Sequence, residues 1–245
     1  MNNITVPFQK LIPSIITVAA MCLGITAIRY SLDGKFNIAV ALIIIAAFLD
    51  GIDGRIARLL NASSQFGAQL DSLADLCNFG VAPGITIYLW SLKDIPFKGI
   101  GWSFVLFFIT CSALRLARFN AQALMKKESV NMNYFTGLPM PIAGVLLLIP
   151  MVFTFDLLKE KDFLSYWGIA IYVVVIGLLM ISKIPIYSAK KLHVSKEKIP
   201  FILIIIGLLF SFLILEPWIV LPFVGLLYII IILSVGLYTT IKSKR

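Results

Sequence analysis

Asp50-Gly51-Ile52-Asp53-Gly54-Arg55-Ile56-Ala57-Arg58, then eight residues, then Gly67-Ala68-Gln69-Leu70-Asp71-Ser72-Leu73-Ala74-Asp75: the reading of this chain turns on these two stretches. They set four carboxylates inside apolar segments. On helices, Asp50 and Asp53 stand i, i+3 and Asp71 and Asp75 stand i, i+4, so each pair shares one face. A short turn at residues 61–65 would let both pairs aim into one cavity. Ionisable groups at membrane depth are costly and rare, and they line functional sites.

The surroundings are those of a membrane protein. The 245 residues are 60% hydrophobic and 13% charged, with a mean hydropathy of +0.99. A soluble domain of this length needs far more polar surface. Runs at 38–49, 201–215 and 219–238 approach or reach the length of a bilayer-spanning helix. The expected fold is an all-α, polytopic transmembrane helical bundle. Its eight candidate spans are 11–30, 36–58, 68–90, 99–121, 137–156, 163–183, 199–215 and 217–239. No soluble domain separates from them, so residues 1–245 read as a single integral membrane domain. No cleavable signal peptide is expected, because the first apolar segment opens on Pro13-Ser14 and passes Met21 without a small-residue cleavage site.

Charge supplies the orientation. With both termini in the cytoplasm, fifteen of the 21 Lys and Arg fall inside: Lys10, Arg55, Arg58, Arg115, Arg118, Lys126, Lys127, Lys183, Lys190, Lys191, Lys196, Lys198, Lys242, Lys244 and Arg245. Arg29, Lys35, Lys93, Lys98, Lys159 and Lys161 fall outside. Every alternate loop is basic, as the positive-inside rule requires. The excess of +9 thus reports topology and attraction to anionic membrane lipid, and no nucleic-acid partner is needed to explain it. The same topology turns the acidic segment, with Arg55 and Arg58, toward the cytoplasm. Cys22, Cys77 and Cys111 lie in apolar segments and read as small buried hydrophobes, with no disulfide or zinc spacing. His193 stands alone in a basic loop.

Four packed carboxylates repel one another, and one or two divalent cations would remove the conflict. All-oxygen ligation suits Mg²⁺, Mn²⁺ or Ca²⁺ better than zinc. Gly51, Gly54 and Gly67 let a bulky anion approach the backbone, and Arg58, one turn beyond Gly54, can meet a phosphate. Metals, glycines and an arginine together describe a pyrophosphate site.

At these residues the chain resembles the CDP-alcohol phosphotransferases, whose signature reads D-x₂-D-G-x₂-A-R-x₈₋₉-G-x₃-D-x₃-D. Asp50, Asp53, Gly54, Ala57, Arg58, Gly67, Asp71 and Asp75 fill every fixed position. The resemblance implies a six-helix catalytic core, here over 10–183, followed by a C-terminal helix pair over 199–240, and commonly a homodimer. It implies that Asp50, Asp53, Asp71 and Asp75 hold two divalent ions, Mg²⁺ or Mn²⁺, and that Asp75 is the general base. It also assigns Gly54, Ala57, Arg58, Gly67 and the turn residue Ser64 to the CDP portion of the donor. The family's Pro-Asn-x-x-Thr stretch on the first helix reads Pro13-Ser14-Ile15-Ile16-Thr17, with Ser14 in place of Asn. Ser14 and Thr17 can still donate hydrogen bonds to the nucleotide.

Three further stretches resemble the membrane-embedded phosphatidylserine synthases of bacteria and archaea: Asp75-Leu76-Cys77-Asn78-Phe79-Gly80-Val81-Ala82-Pro83, Ser112-Ala113-Leu114-Arg115-Leu116-Ala117-Arg118-Phe119-Asn120 and Phe135-Thr136-Gly137-Leu138-Pro139-Met140-Pro141. The similarity implies transfer of the phosphatidyl group of CDP-diacylglycerol to L-serine, a step of phospholipid biosynthesis. Arg115 or Arg118 could hold the serine carboxylate by a bidentate contact. The same chemistry with glycerol 3-phosphate or inositol phosphate is the alternative. An ion-coupled transporter is a further alternative, but it predicts acids scattered over several helices. Here all four lie on two consecutive ones.

Overall fold

The computed structural model describes residues 8–62, 64–125, 135–156, 165–182, 185–186 and 199–243. A short 3₁₀ turn, Phe8–Leu11, leads into α1, Ile12–Leu32. Pro13 stands in the first turn of α1, where its missing N–H costs nothing. The buried positions of α1 are Pro13, Thr17, Ala20, Gly24, Ala27 and Ser31, recurring every three or four residues. Nearly all are small, so α2, Phe36–Leu59, packs closely along that stripe. Gly34 closes the turn between them at φ +74. Its N–H reaches the Ser31 carbonyl at 3.1 Å and the Lys35 N–H reaches Tyr30 at 2.9 Å, which satisfies the last carbonyls of α1.

The inward stripe of α2 carries Ala39, Val40, Ile43 and Ala46 and ends on buried Asp53. Asp50 stands on the same stripe, four residues past Ala46 and half-buried. The helix stops at Asn61, which takes the left-handed φ of 48 that Asn tolerates better than most residues. Its N–H meets the Arg58 carbonyl at 3.3 Å, and the Ala62 N–H meets Ala57 at 2.9 Å. Ser64 then starts α3, Gln65–Asp75, its Oγ accepting the Gly67 N–H at 3.0 Å.

α3 runs through a π-helical turn, Leu76–Val81, into α4, Ala82–Trp90. The expected single span at 68–90 is therefore three joined pieces. The π-turn is the hub of the bundle. Asn78, Phe79 and Gly80 are buried in it, and it touches α1, α2, α5 and α6. Three glycines make room there. A Cβ on Gly24 would collide with Asn78 Oδ1. One on Gly144 would lie 2.9 Å from the Phe79 Cα and carbonyl oxygen, and one on Gly80 would lie 3.2 Å from Ser112 Cβ.

α5, Lys98–Met125, is the longest helix at 28 residues. α6, Met140–Leu147, and α7, Ile149–Asp156, replace the expected single span at 137–156. Pro150 explains the break, because it cannot donate to the Leu146 carbonyl one turn back. Tyr172 of α8, Tyr166–Ile181, supplies the lost donor, its hydroxyl bonding that carbonyl at 2.7 Å. α9, Ile199–Leu215, and α10, Pro217–Ser243, follow, separated at Glu216. A two-residue antiparallel ladder joins β1, Phe135–Thr136, to β2, Pro185–Ile186, pairing Phe135 with Ile186 and Thr136 with Pro185.

The fold is the expected all-α membrane bundle. Among the described residues three stretches are long and apolar enough to cross a bilayer alone: Gln9–Leu32, Phe36–Leu59 and Gly99–Gln122. Tyr166–Ile181 and Pro217–Ile230 are shorter apolar helices. The outward surface is apolar, as lipid requires, with Phe48, Ile171 and Phe212 exposed. Cys111 is buried, but Cys22 is exposed on α1, contrary to its reading as a buried hydrophobe. Lys126, Lys127, Lys159, Lys161, Lys183, Lys190, Lys191, His193, Lys196, Lys198, Lys244 and Arg245, on which much of the charge argument rests, lie outside the described residues.

Close packing at the hub yields a stability test. Gly144→Ala forces a Cβ against the Phe79 backbone, which cannot swing aside, and should cost about 1–3 kcal/mol. Gly168→Ala on α8 meets nothing within 4 Å and should be neutral. Thermal unfolding of both variants in detergent, followed by intrinsic fluorescence, checks the contrast.

Candidate active site

The helix periods that bury the small residues of α2 also carry its two acids inward, and α3 lies beside them. Oxygen atoms of Asp50, Asp53 and Asp71 lie within 4.8 Å of one another. Asp53 is buried at 3% exposure, and Asp50 and Asp71 are half-buried. Asp75, one turn beyond Asp71, joins the group from the side. Its carboxyl meets the Asp50 side chain, while its Oδ1 is buried with no hydrogen-bond partner among the described residues. Three carboxylates thus form the tight cluster and the fourth adjoins it.

The protein neutralises little of this charge itself. Among the described residues the one salt bridge is Arg29–Asp33 at 3.5 Å, remote from the acids on α1. Arg58, eight residues past Asp50, is exposed and makes no ion pair with it. The main support is Thr17 of α1, whose Oγ1 lies 2.6 Å from Asp53 Oδ2 and 3.0 Å from the Pro13 carbonyl oxygen. A hydroxyl has one proton, and the shorter, charge-assisted contact is the stronger claim on it. Clustered, unpaired, all-oxygen donors are the set that a hard divalent cation takes. The acids therefore fit a metal of that class.

A cavity of about 260 Å³ opens beside the cluster. Asp53 and Asp71 reach it, with Pro13, Ser14 and Thr17 of α1, Gly54, Ala57 and Arg58 of α2, and Ser64 and Gly67 at the start of α3. Every residue assigned by resemblance to the donor lines this one space. The glycines fit close approach. A Cβ on Gly54 would meet no protein atom within 4 Å, and one on Gly67 would crowd Ser64 Oγ at 3.1 Å and approach Ser14 Oγ at 3.8 Å. Gly67 is needed for the cap itself, whereas Gly54 leaves open space in the cavity.

The two arginines of α5 differ. Arg118 donates from Nη1 to the Ile181 carbonyl at 2.9 Å, capping the C-terminus of α8. Gly137, at φ +80, brings its backbone against Met180, Ser182 and the same guanidinium. Arg118 therefore ties α5 to the junction of α8 and the 135–139 segment. Arg115, one turn deeper, has a buried Nε without a partner among the described residues and stands within electrostatic reach of Asp75. Below them, Asn120 Nδ2 donates to Ser72 Oγ at 3.0 Å and fastens α5 to α3 between Asp71 and Asp75. Asn78, fully buried in the π-turn, has neither amide atom bonded among the described residues. No local pattern distinguishes Asn78 or Asn120 in the sequence, since only the folded packing gives Asn120 its partner in Ser72.

Known proteins bear on this site. A sequence model of the CDP-alcohol phosphatidyltransferase family matches residues 10–180, which contain the four acids and every residue named as lining the cavity. A CDP-diacylglycerol–serine O-phosphatidyltransferase of Mycobacterium tuberculosis is 40% identical over 185 residues, covering 75% of this chain and 62% of the relative. The chain thus spans less than two thirds of the mycobacterial protein's length. The Helicobacter pylori protein of the same name is 34% identical over 205 residues, 82% of this chain and 81% of its own. That of Bacillus subtilis is 37% identical over 180 residues, 74% and 92% of the two chains.

The Thr17–Asp53 bond makes a prediction. Thr17→Val keeps the shape but removes the donor that orients Asp53. The concentration of Mg²⁺ or Mn²⁺ for half-saturation should rise about tenfold, as for other outer-shell partners, measured by calorimetric titration of the purified protein.

Proposed function

The chain belongs to the CDP-alcohol phosphatidyltransferase family, and from that premise we propose that it transfers the phosphatidyl group of CDP-diacylglycerol to L-serine, giving phosphatidylserine and CMP. The observation that carries this reading is the acid cluster sharing one cavity with the residues assigned to the donor. Relatives named as serine phosphatidyltransferases, aligned over 74–82% of this chain, support serine as the acceptor.

Each residue then has a role. Ser14, Thr17, Gly54, Ala57, Arg58, Ser64 and Gly67 form the donor site, with Arg58 placed to meet the pyrophosphate. Asp50, Asp53, Asp71 and Asp75 hold Mg²⁺ or Mn²⁺, two ions being the proposed complement. Bound there, the metal supplies positive charge beside the pyrophosphate as CMP departs. Asp75 accepts the serine hydroxyl proton on its unpartnered Oδ1. The serine oxygen then bonds the phosphorus that carries diacylglycerol, and the bond from that phosphorus to the CMP oxygen breaks. Arg115, with a free buried Nε, is the arginine better placed for the serine carboxylate, since Arg118 already serves the end of α8.

The wider frame is part of the same proposal. The site faces the cytoplasm, with both termini on that side, because the basic loops fall there. Residues 10–183 are the catalytic core, 199–240 an added helix pair, and the protein works as a homodimer in the lipid bilayer.

CMP release by purified protein in detergent tests the reading. With CDP-diacylglycerol and Mg²⁺ or Mn²⁺, release should require L-serine and stop with EDTA. Release with glycerol 3-phosphate or inositol phosphate in place of serine would overturn the acceptor, and no metal-dependent release with any of them would overturn the chemistry. Asp75→Asn should lower the rate by at least a hundredfold, roughly the general-base contribution, while filter binding of CDP-diacylglycerol is retained. Full activity in that variant would remove Asp75 as the base.

A further inference from the structure

α3 carries two of the four acids, yet it is thinly packed. Ala74 is its one buried residue, and Phe66 and Leu73 are exposed. Apolar burial, which ordinarily fixes a helix within a fold, therefore does little to hold it. Its first turn is held by the Ser64 cap, and its last runs on into the π-turn. Between these ends stands Ser72, directly after Asp71 and three residues before Asp75.

Ser72 is tied across to α5. Its Oγ accepts from Asn120 Nδ2 at 3.0 Å and donates to the Ala68 carbonyl, also at 3.0 Å. Among the described residues this is the one hydrogen bond between α3 and α5. Both side chains are half-buried, where water competes less for the bond. A second contact lies deeper. A Cβ on Gly80 would lie 3.2 Å from Ser112 Cβ, so the π-turn backbone rests against α5 there. The two contacts are in register: Gly80 lies eight residues after Ser72, and Ser112 eight residues before Asn120. Eight residues of helix rise about 12 Å. Asp75 falls between these two points.

One contact alone would be a pivot. The approach of Gly80 to Ser112 is non-directional packing, and α3 could swing about it. A directional bond eight residues away removes the swing. Resting on the reading of the acids as a cation site, we propose that Asn120 is a positioning residue: through Ser72 it locks α3 against α5, so that Asp71 and Asp75 meet Asp50 and Asp53 of α2 at a fixed spacing. Coordination by carboxylates from two helices depends on that spacing. The choice of side chain fits the task. The acids repel one another before an ion binds, so α3 needs a fastening. A lysine or arginine at 120 would bring a positive charge that competes with the ion, whereas a neutral amide holds the helix and leaves the acids their charge.

Asn120→Leu keeps the size of the side chain and removes the donor, while Ser72 retains its bond to the Ala68 carbonyl, so α3 stays helical. In calorimetric titration of the purified protein, the Mg²⁺ or Mn²⁺ concentration for half-saturation should rise about fivefold, the size expected for one lost hydrogen bond. With EDTA present, amide hydrogen exchange of residues 65–75 should quicken by a similar factor, about fivefold, and that of 36–59 should not change. Ser72→Ala should reproduce both effects. The double variant should bind metal no more weakly than the weaker single one, because the two side chains share one bond. Ser103→Ala takes a hydroxyl from the far end of α5 and should change neither readout. An unchanged half-saturation point in Asn120→Leu would overturn the assignment. So would additive losses in the double variant, or faster exchange throughout the bundle, which marks general loosening. Failure of the cation reading shows itself separately, as wild-type protein that takes up neither ion, and it takes the Asn120 assignment with it.

Discussion

Mutual repulsion among the four carboxylates is the constraint around which the bundle is arranged. Asp50, Asp53 and Asp71 bring oxygens within 4.8 Å in an apolar surround, and no lysine or arginine among the described residues pairs with them. Buried charge without a partner is among the costliest things a fold can contain. It persists when a ligand supplies the missing charge or when the group must act chemically. The neighbouring elements fit that purpose. The small stripe of α1 brings Thr17 to Asp53, the left-handed Asn61 turns the chain within a few residues, and Ser64 caps α3 while lining the cavity.

Much of this was legible in the sequence because it is periodic. Spacings of three and four residues put Asp50 and Asp53 on the stripe that also buries Ala39, Ile43 and Ala46, and hydropathy marked the apolar segments without the breaks inside 68–90 and 137–156. The 26-residue signature reached further, since every residue that it assigned to the donor lines one cavity. Local pattern could not show which contacts form between elements distant in sequence. Arg115 and Arg118 look alike as two basic residues three apart, yet one caps α8 and the other keeps a free Nε. The span expected at 137–156 breaks at Pro150 into α6 and α7, and the Tyr172 hydroxyl that makes the break tolerable lies 26 residues from its acceptor. Cys22 failed for the complementary reason: hydropathy cannot tell a side chain facing protein from one facing lipid.

The π-turn at 76–81 belongs to the same class of hidden features, and it links packing to chemistry. A regular helix would carry the face of Asp71 and Asp75 straight on into α4. The wider turn inserts an extra residue's worth of rotation just past Asp75. Phe79 thereby faces Gly144 and Gly80 faces Ser112, while Asn78 is driven against Gly24. Each contact ties the segment that follows Asp75 to a different helix, α6, α5 and α1 in turn. The cost is visible in Asn78, whose buried amide goes unbonded. A straight helix packed by leucines would be the more stable solution. The fold instead keeps a wide turn beside Asp75, the base of the proposed reaction, a placement that favours preorganisation over packing.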